Sequence, residues 1–205
     1  MTAAKIAVVG AGGHSKVVIG TAESAGFIVA AVFDDREQLW GGTILGHTVL
    51  GPIEGLQPSD FDGVVLAIGS NLGRHEASKR LEAPWVSIVH RSAHVHRSVA
   101  IGAGTVVFAG AVLQPETTIG RHSIINTAAT VDHDCEIDDY AHIAPGANLA
   151  GNVKIGEGSL VGVGAALIPG VAVGAWATIG AGAAIVSDVP AGATIAGVPG
   201  RPLRP

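Results

Sequence analysis

The apolar positions of this chain follow two different rules, and the change between them falls near residue 88. Upstream, strand-like runs alternate with helix-like ones. Residues 5–10 (KIAVVG) read as a buried strand and lead through glycines into 14–26, where Val17, Val18, Thr21 and Ala22 form a short apolar helical face that Gly26 is placed to end. Residues 27–33 (FIVAAVF) and 62–69 (DGVVLAIG) read as further buried strands. After the later one, Ser70 or Asn71 is placed to cap a helix that stops before Pro84. Alternation of this kind predicts a small parallel α/β domain over residues 1–88.

From Val89 to Ile185 an aliphatic residue recurs every six positions without a miss. Two positions before each of them stands Ser, Thr, Ala, Val or Cys, from Ser87 to Ala183. Neither a helix nor a strand has such a period. It suits a solenoid over residues 89–205 whose flat faces each add one aliphatic side chain to an axial stack, with small residues where the chain turns between faces. A triangular prism results if three hexads complete a coil. Burying each stacked aliphatic stabilises by roughly 1.5–3 kcal/mol, so the column needs no aromatic core. The composition agrees: 30 Gly accompany only 4 Phe, 3 Trp and 1 Tyr.

Charge narrows the partners. A net charge of -5 and the lack of any Lys/Arg cluster argue against nucleic acid, whose phosphates need cationic replacement of their counterions. No uninterrupted span approaches the roughly 20 apolar residues of a transmembrane helix, and glycines break the apolar N-terminal run before it could serve as a secretory signal. A lone cysteine, Cys135, excludes a disulfide framework and fits a reducing compartment, so a cytoplasmic location is expected. Cys135 falls on a small inward position of its hexad and is expected to be packed rather than reactive.

Charged side chains concentrate at residues 129–146 (ATVDHDCEIDDYAHIAPG). Val131 and Ile137 are inward rungs, so Asp132, His133 and Asp134 lie between faces and point outward. A histidine there suits proton transfer at neutral pH, although a histidine between two acids is more often a solvated turn. His142 immediately precedes the inward Ile143, and Asn126 follows the inward Ile125. In the N-terminal part, Gly10, Gly12, Gly13, His14 and Ser15 link a strand to a helix, a setting in which backbone N–H groups favour a phosphate. Ser15 replaces the third glycine of a dinucleotide fingerprint, which weakens a nicotinamide reading. His90, His94 and His96 alternate at the start of the repeat and read either as solvated edge residues or as a zinc site.

Residues 89–185 resemble the hexapeptide-repeat acyltransferases, which implies a left-handed parallel β-helix following a Rossmann-like α/β domain. The segments GAGGHSKVV (10–18), FDD (33–35), AIGSN (67–71), INTAATVDHDC (125–135), AGNVKIG (150–156) and AGVPGRPLR (196–204) are together similar to the nucleotide-amino-sugar N-acetyltransferases of the bacillosamine and perosamine pathways and to the sialic acid O-acetyltransferase family. The resemblance implies an acetyl-CoA-dependent enzyme of three identical chains, acting on a nucleotide-linked amino sugar of the 4-amino-4,6-dideoxy type. It assigns His133 as general base oriented by Asp134, and acetyl-CoA contacts at His142, Gly151, Val163, Gly197, Pro199 and Arg201. It assigns the nucleotide-sugar to Gly12, Gly13, His14, Asp34, Asp35, Gly69, Ser70, Asn71 and Asn126, and it implies no metal. Sugar O-acetylation and a non-catalytic β-helix scaffold or sugar-nucleotide sensor are the alternatives. A γ-class carbonic anhydrase shares the β-helix, but its paired zinc-ligand elements are missing here.

Overall fold

The computed structural model describes residues 3–203. Its N-terminal part is a parallel sheet of strands β1 (Lys5–Val9), β2 (Ile28–Phe33) and β5 (Gly63–Leu66) in the order β2-β1-β5. Helix α1 (Gly13–Ser24) connects β1 to β2, and a small antiparallel hairpin of β3 (Thr43–Ile44) and β4 (His47–Thr48) lies between β2 and β5. Gly26, at φ +89°, ends α1 in the left-handed conformation expected of a glycine there. Helix α2 (Asn71–Lys79) starts at Ser70, whose hydroxyl accepts the Gly73 N–H. Both sheet faces are covered, which is why Ile6 to Val9 and Val64 to Leu66 are continuously apolar and buried.

Beyond residue 88 the chain winds into a parallel β-solenoid of about six turns. Strands of two residues pair with the strand eighteen residues on, as in Ile124↔His142 and Ile125↔Ile143. Three faces result. The first carries Val106–Val107, Ile124–Ile125, His142–Ile143 and Leu160–Val161; the second Val112–Leu113, Thr130–Val131 and Asn148–Leu149; the third Thr118–Ile119, Glu136–Ile137 and Lys154–Ile155. The six-residue ladder from Val107 to Ile185 lies inside, with the small residues of the hexads beside it. The last coil is two residues shorter: Thr178 pairs with Thr194, and Val173 bridges to Val189.

From residue 104 to residue 182, each turn between faces places one residue in the left-handed region. Seven are glycines, from Gly104 to Gly182, and the others are Glu116, His122, Ala128, Asp134, Tyr140, Asn152 and Trp176. Such a conformation costs an L-residue roughly 1–2 kcal/mol, so each non-glycine there is a candidate for a role beyond the turn.

The α/β part docks on the first face. Val106, Ile124 and Ile88, the outward residues of successive first-face strands, join Phe108, Val18 and Ile19 in one core. The hydrophobic contact therefore crosses residue 88. The next outward residue in that row is His142, paired with Ile124 below and Leu160 above. It stands at the rim of the docked domain.

Candidate functional site

The described residues bring the sequence candidates to two separate places. One is the edge between the second and third faces. Asp132 to Cys135 make the turn there, and the outward His133 and Asp134 side chains are each 59% exposed. His133 Nδ1 donates to Asp134 Oδ2 at 2.7 Å. Asp132 does not take that part; its Oδ1 accepts the His133 backbone N–H at 2.8 Å. With Nδ1 engaged, Nε2 is left with its lone pair free. The hydrogen bond to Asp134 raises the His133 pKa above its ordinary 6.5, and the charges of Asp132 and Asp134 add to the effect.

The ring rests on the backbone of the coil above it. A Cβ placed on Gly151 would lie 2.5 Å from His133 Cε1 and 2.6 Å from Nε2. Gly151 is thus required by the imidazole as much as by any ligand, since a methyl group would push the ring off its seat. Cys135, beside it, is buried, its Sγ meets the Ala150 carbonyl at 3.3 Å, and burial raises its pKa.

The second place is a cavity of about 420 Å³ over the carboxyl ends of β1 and β5, lined by Gly12, Gly13, His14, Asp34, Asp35 and Gly69 among others. This is where ligands bind in open parallel sheets. Gly10, at φ +110°, admits no side chain: a Cβ would meet the Ala67 carbonyl oxygen at 2.9 Å. Asp34 accepts the Ala11 N–H at 2.7 Å and takes the Arg36 guanidinium at both carboxylate oxygens. The Arg36 hydrogen bond is the main cause that pulls the Asp34 pKa down to about 2. Asp35 accepts from Ile53 N–H and from Arg80, which also pairs with Glu54. Both aspartates therefore brace the cavity wall.

Of the remaining candidates, Ser70 is committed to the cap of α2, and Asn71 donates to the carbonyls of Gly158 and Ser159 in the solenoid. Asn126 Nδ2 lies 2.9 Å from His142 Nε2. The His142 ring sits 6.3 Å from that of His14, which in turn meets Phe108 edge-on at 5.5 Å. Burial drives the His142 pKa down to about 3 and that of His14 to about 4, with Arg74 contributing to both. His142 thus faces the glycine loop across the docked interface, on the side of the prism opposite the His133 edge.

Val163 is exposed on the turn between the first and second faces. Gly197 (φ +90°) and Pro199, which follows a cis bond, shape the end of the column, where Arg201 pairs in a short antiparallel strand with Ala196. Arg204 lies outside the described residues. His94 sits on its own strand, while His90 and His96 bond to Ser92 and Ser98 on different turns. Among the described residues no group of three or more His, Cys, Asp or Glu is arranged to hold a metal ion, and no helix is long and apolar enough to cross a membrane.

Two cavity-associated residues escaped the sequence. Arg36 directly follows the FDD segment and was within reach of that signal. Arg74 reads as one more polar residue of a helix, yet it is 1% exposed.

Comparison with known proteins places these features in context. The model of the PglD N-terminal domain matches residues 5–81. The acetyltransferase domain of PglB from Neisseria gonorrhoeae, solved with acetyl coenzyme A, is 40% identical, with a TM-score of 0.91 over 98% of this chain and 100% of that one. PerB from Caulobacter crescentus, solved with CoA and GDP-perosamine, is 37% identical, with a TM-score of 0.89 over 98% and 97%. The UDP-N-acetylbacillosamine N-acetyltransferase of Bacillus subtilis is 38% identical over 114 residues, 51% of this chain and 51% of that relative. The match thus spans about half the length of that curated relative, and nearly all of the solved domains.

Proposed function

We propose that this chain, which belongs to the hexapeptide-repeat sugar acetyltransferases that carry a PglD N-terminal domain, moves an acetyl group from acetyl-CoA to the amine of a nucleotide-linked amino sugar. The observation that carries the reading is the bare Nε2 of His133, seated over Gly151 with Nδ1 held by Asp134. As the amine attacks the thioester carbonyl, a C–N bond forms and the nitrogen becomes acidic; Nε2 takes its proton. Asp134 fixes the tautomer and stabilises the imidazolium. Collapse of the tetrahedral intermediate breaks the C–S bond, and the proton passes from the imidazolium to the departing coenzyme thiolate.

In this reading residues 1–88 hold the nucleotide-sugar in the cavity at Gly12, Gly13, His14 and Gly69. Residues 89–205 supply the acyl-transfer groups, with His142, Gly151, Val163, Gly197, Pro199 and Arg201 toward the coenzyme. One chain does not bring the two halves together, because His133 lies on the edge opposite the first face. A second copy that sets its His133 edge against this first face completes the site, and a ring of three copies pairs each His133 edge with a first face. The acceptor is a 4-amino-4,6-dideoxy sugar.

The experiment is acetyl-CoA with a panel of UDP-, GDP- and dTDP-linked amino sugars, read as enzyme-dependent release of coenzyme thiol. Transfer to an amine gives a product stable to hydroxylamine, whereas an O-acetyl ester is cleaved. Absence of thiol release across the panel rejects the proposal, and a hydroxylamine-labile product replaces the amine with a hydroxyl acceptor.

A further inference from the structure

Arg74 is the one large cation buried at the junction of the two parts, and among the described residues it has no carboxylate. Its Nε donates to the His122 carbonyl at 2.9 Å; Nη1 donates to the carbonyls of Ile68 and Gly69, both at 3.1 Å. Nη2 reaches Asn71 Oδ1 at 3.0 Å and the Tyr140 carbonyl at 2.7 Å, with Ala141 O at 3.4 Å. Every acceptor is neutral. The acids of the cavity wall are committed to other cations: Asp34 to Arg36, and Asp35, with Glu54 beside it, to Arg80. A buried charge without a counter-charge is costly, so its retention asks for an explanation.

Position supplies one. Ile68 and Gly69 line the nucleotide-sugar cavity, and their carbonyl oxygens are turned onto the guanidinium. In a planar trans peptide the N–H points opposite its carbonyl, so the same contacts turn the following N–H groups away from Arg74. Carbonyls left facing the cavity would repel a phosphate. The positive field of Arg74 also reaches His14 in the cavity wall and His142 beyond it, and it contributes to keeping both neutral. Burial brings the Arg74 pKa itself down to about 9, which leaves it charged at neutral pH.

We propose that Arg74 is a positioning residue for the acceptor: its guanidinium clamps the Ile68–Gly69 turn to the solenoid and stands behind the cavity as a cation whose counter-charge is the diphosphate of the incoming nucleotide-sugar. The inference rests on the acceptor reading above. It assigns the selectivity for an anionic ligand to a residue that does not touch it.

Calorimetry on the full chain tests it with nucleoside, nucleoside monophosphate and nucleoside diphosphate of the base that binds best. The unsubstituted protein should bind more tightly with each added phosphate. Arg74→Gln should weaken the diphosphate about tenfold or more and the neutral nucleoside less than about twofold, the scale of losing hydrogen bonds to a charged group. Arg74→Lys, which restores the charge without the fork, should recover part of the diphosphate affinity. Equal loss for nucleoside and diphosphate would mark Arg74 as merely structural and overturn the proposal, as would an unchanged diphosphate affinity. Should Arg74→Gln fail to melt cooperatively, the phosphate series on the unsubstituted protein decides, since affinity that does not rise with phosphate number is equally fatal. If that protein binds no nucleotide of any base, the acceptor reading itself fails and takes this inference with it.

Discussion

Two edges of the same column show how a repeat is turned into a device. The edge between the third and first faces carries His122, Tyr140 and Trp176 at its left-handed corners, and the edge between the second and third faces carries Glu116, Asp134 and Asn152 at the equivalent ones. Backbone geometry is shared; surroundings are not. At the first of these edges His122 is 1% exposed, stacked on Tyr140 at 5.4 Å and met edge-on by Trp85 at 4.8 Å, all beneath α2. Burial pushes its pKa down to about 4, so it is neutral packing material at physiological pH. At the other edge no helix or strand among the described residues lies over His133, whose side chain is 59% exposed, and the neighbouring carboxylate moves its pKa upward instead. One histidine joins two domains and the other is left open to solvent, free to act as the base proposed above, and the difference lies in what covers the edge.

The largest effect that sharpens this contrast is at His133. With its side chain 59% exposed, His133→Ala removes the proton acceptor without opening the core. We expect kcat to fall by about 10²–10⁴-fold, with circular dichroism and melting temperature unchanged. Turnover close to normal would remove His133 from the mechanism and leave both edges structural.

The solenoid was legible because its signal is repeated: each hexad restates the same inward aliphatic, and the chain from Val89 to Ile185 makes no exception. The strands, the cap at Ser70 and the turn at Gly26 were legible for a local reason, since their residues act within a few positions. The docked interface was harder to see. Its signal has a period of eighteen, in the outward row Ile88, Val106, Ile124 and His142, and it is visible only once the coil length is known. The role of Arg74 had no signal at all, because its partners are backbone carbonyls, which every residue possesses. The same holds for the amide of Asn71, a residue the resemblance assigns to the nucleotide-sugar: its donation to the carbonyls of Gly158 and Ser159 leaves no mark in the sequence.

A smaller effect probes how Asp134 sets apart the exposed edge. In the proposed mechanism the base form of His133 is the active one, so a raised pKa places the acidic limb of the kcat/KM profile at higher pH. Asp134→Asn removes the carboxylate but keeps an oxygen able to accept from Nδ1. The limb should then move down in pH toward the ordinary histidine value of 6.5, while the plateau falls roughly tenfold as the imidazole becomes a weaker base. A limb that stays in place, with a lowered plateau, would mean that Asp134 orients the ring without tuning it, and Asp132 would inherit the electrostatic part.

The smallest effect concerns a corner with no partner on either account. Ala128 lies on the remaining edge, exposed, at φ +54°. Its methyl group bears the cost of the left-handed conformation, roughly 1–2 kcal/mol, and nothing in the described chain uses it. Glycine relieves that cost but makes the unfolded chain more flexible, which takes back about 0.4–1 kcal/mol. The balance favours Ala128→Gly by about 0–1.6 kcal/mol, read as a modest rise in the denaturation midpoint with activity unaffected. A destabilised Ala128→Gly would show that the methyl group is packed in the assembled protein, as the Tyr140 edge is packed under α2, and would place this edge within the contact that the His133 edge of a second copy makes with the first face.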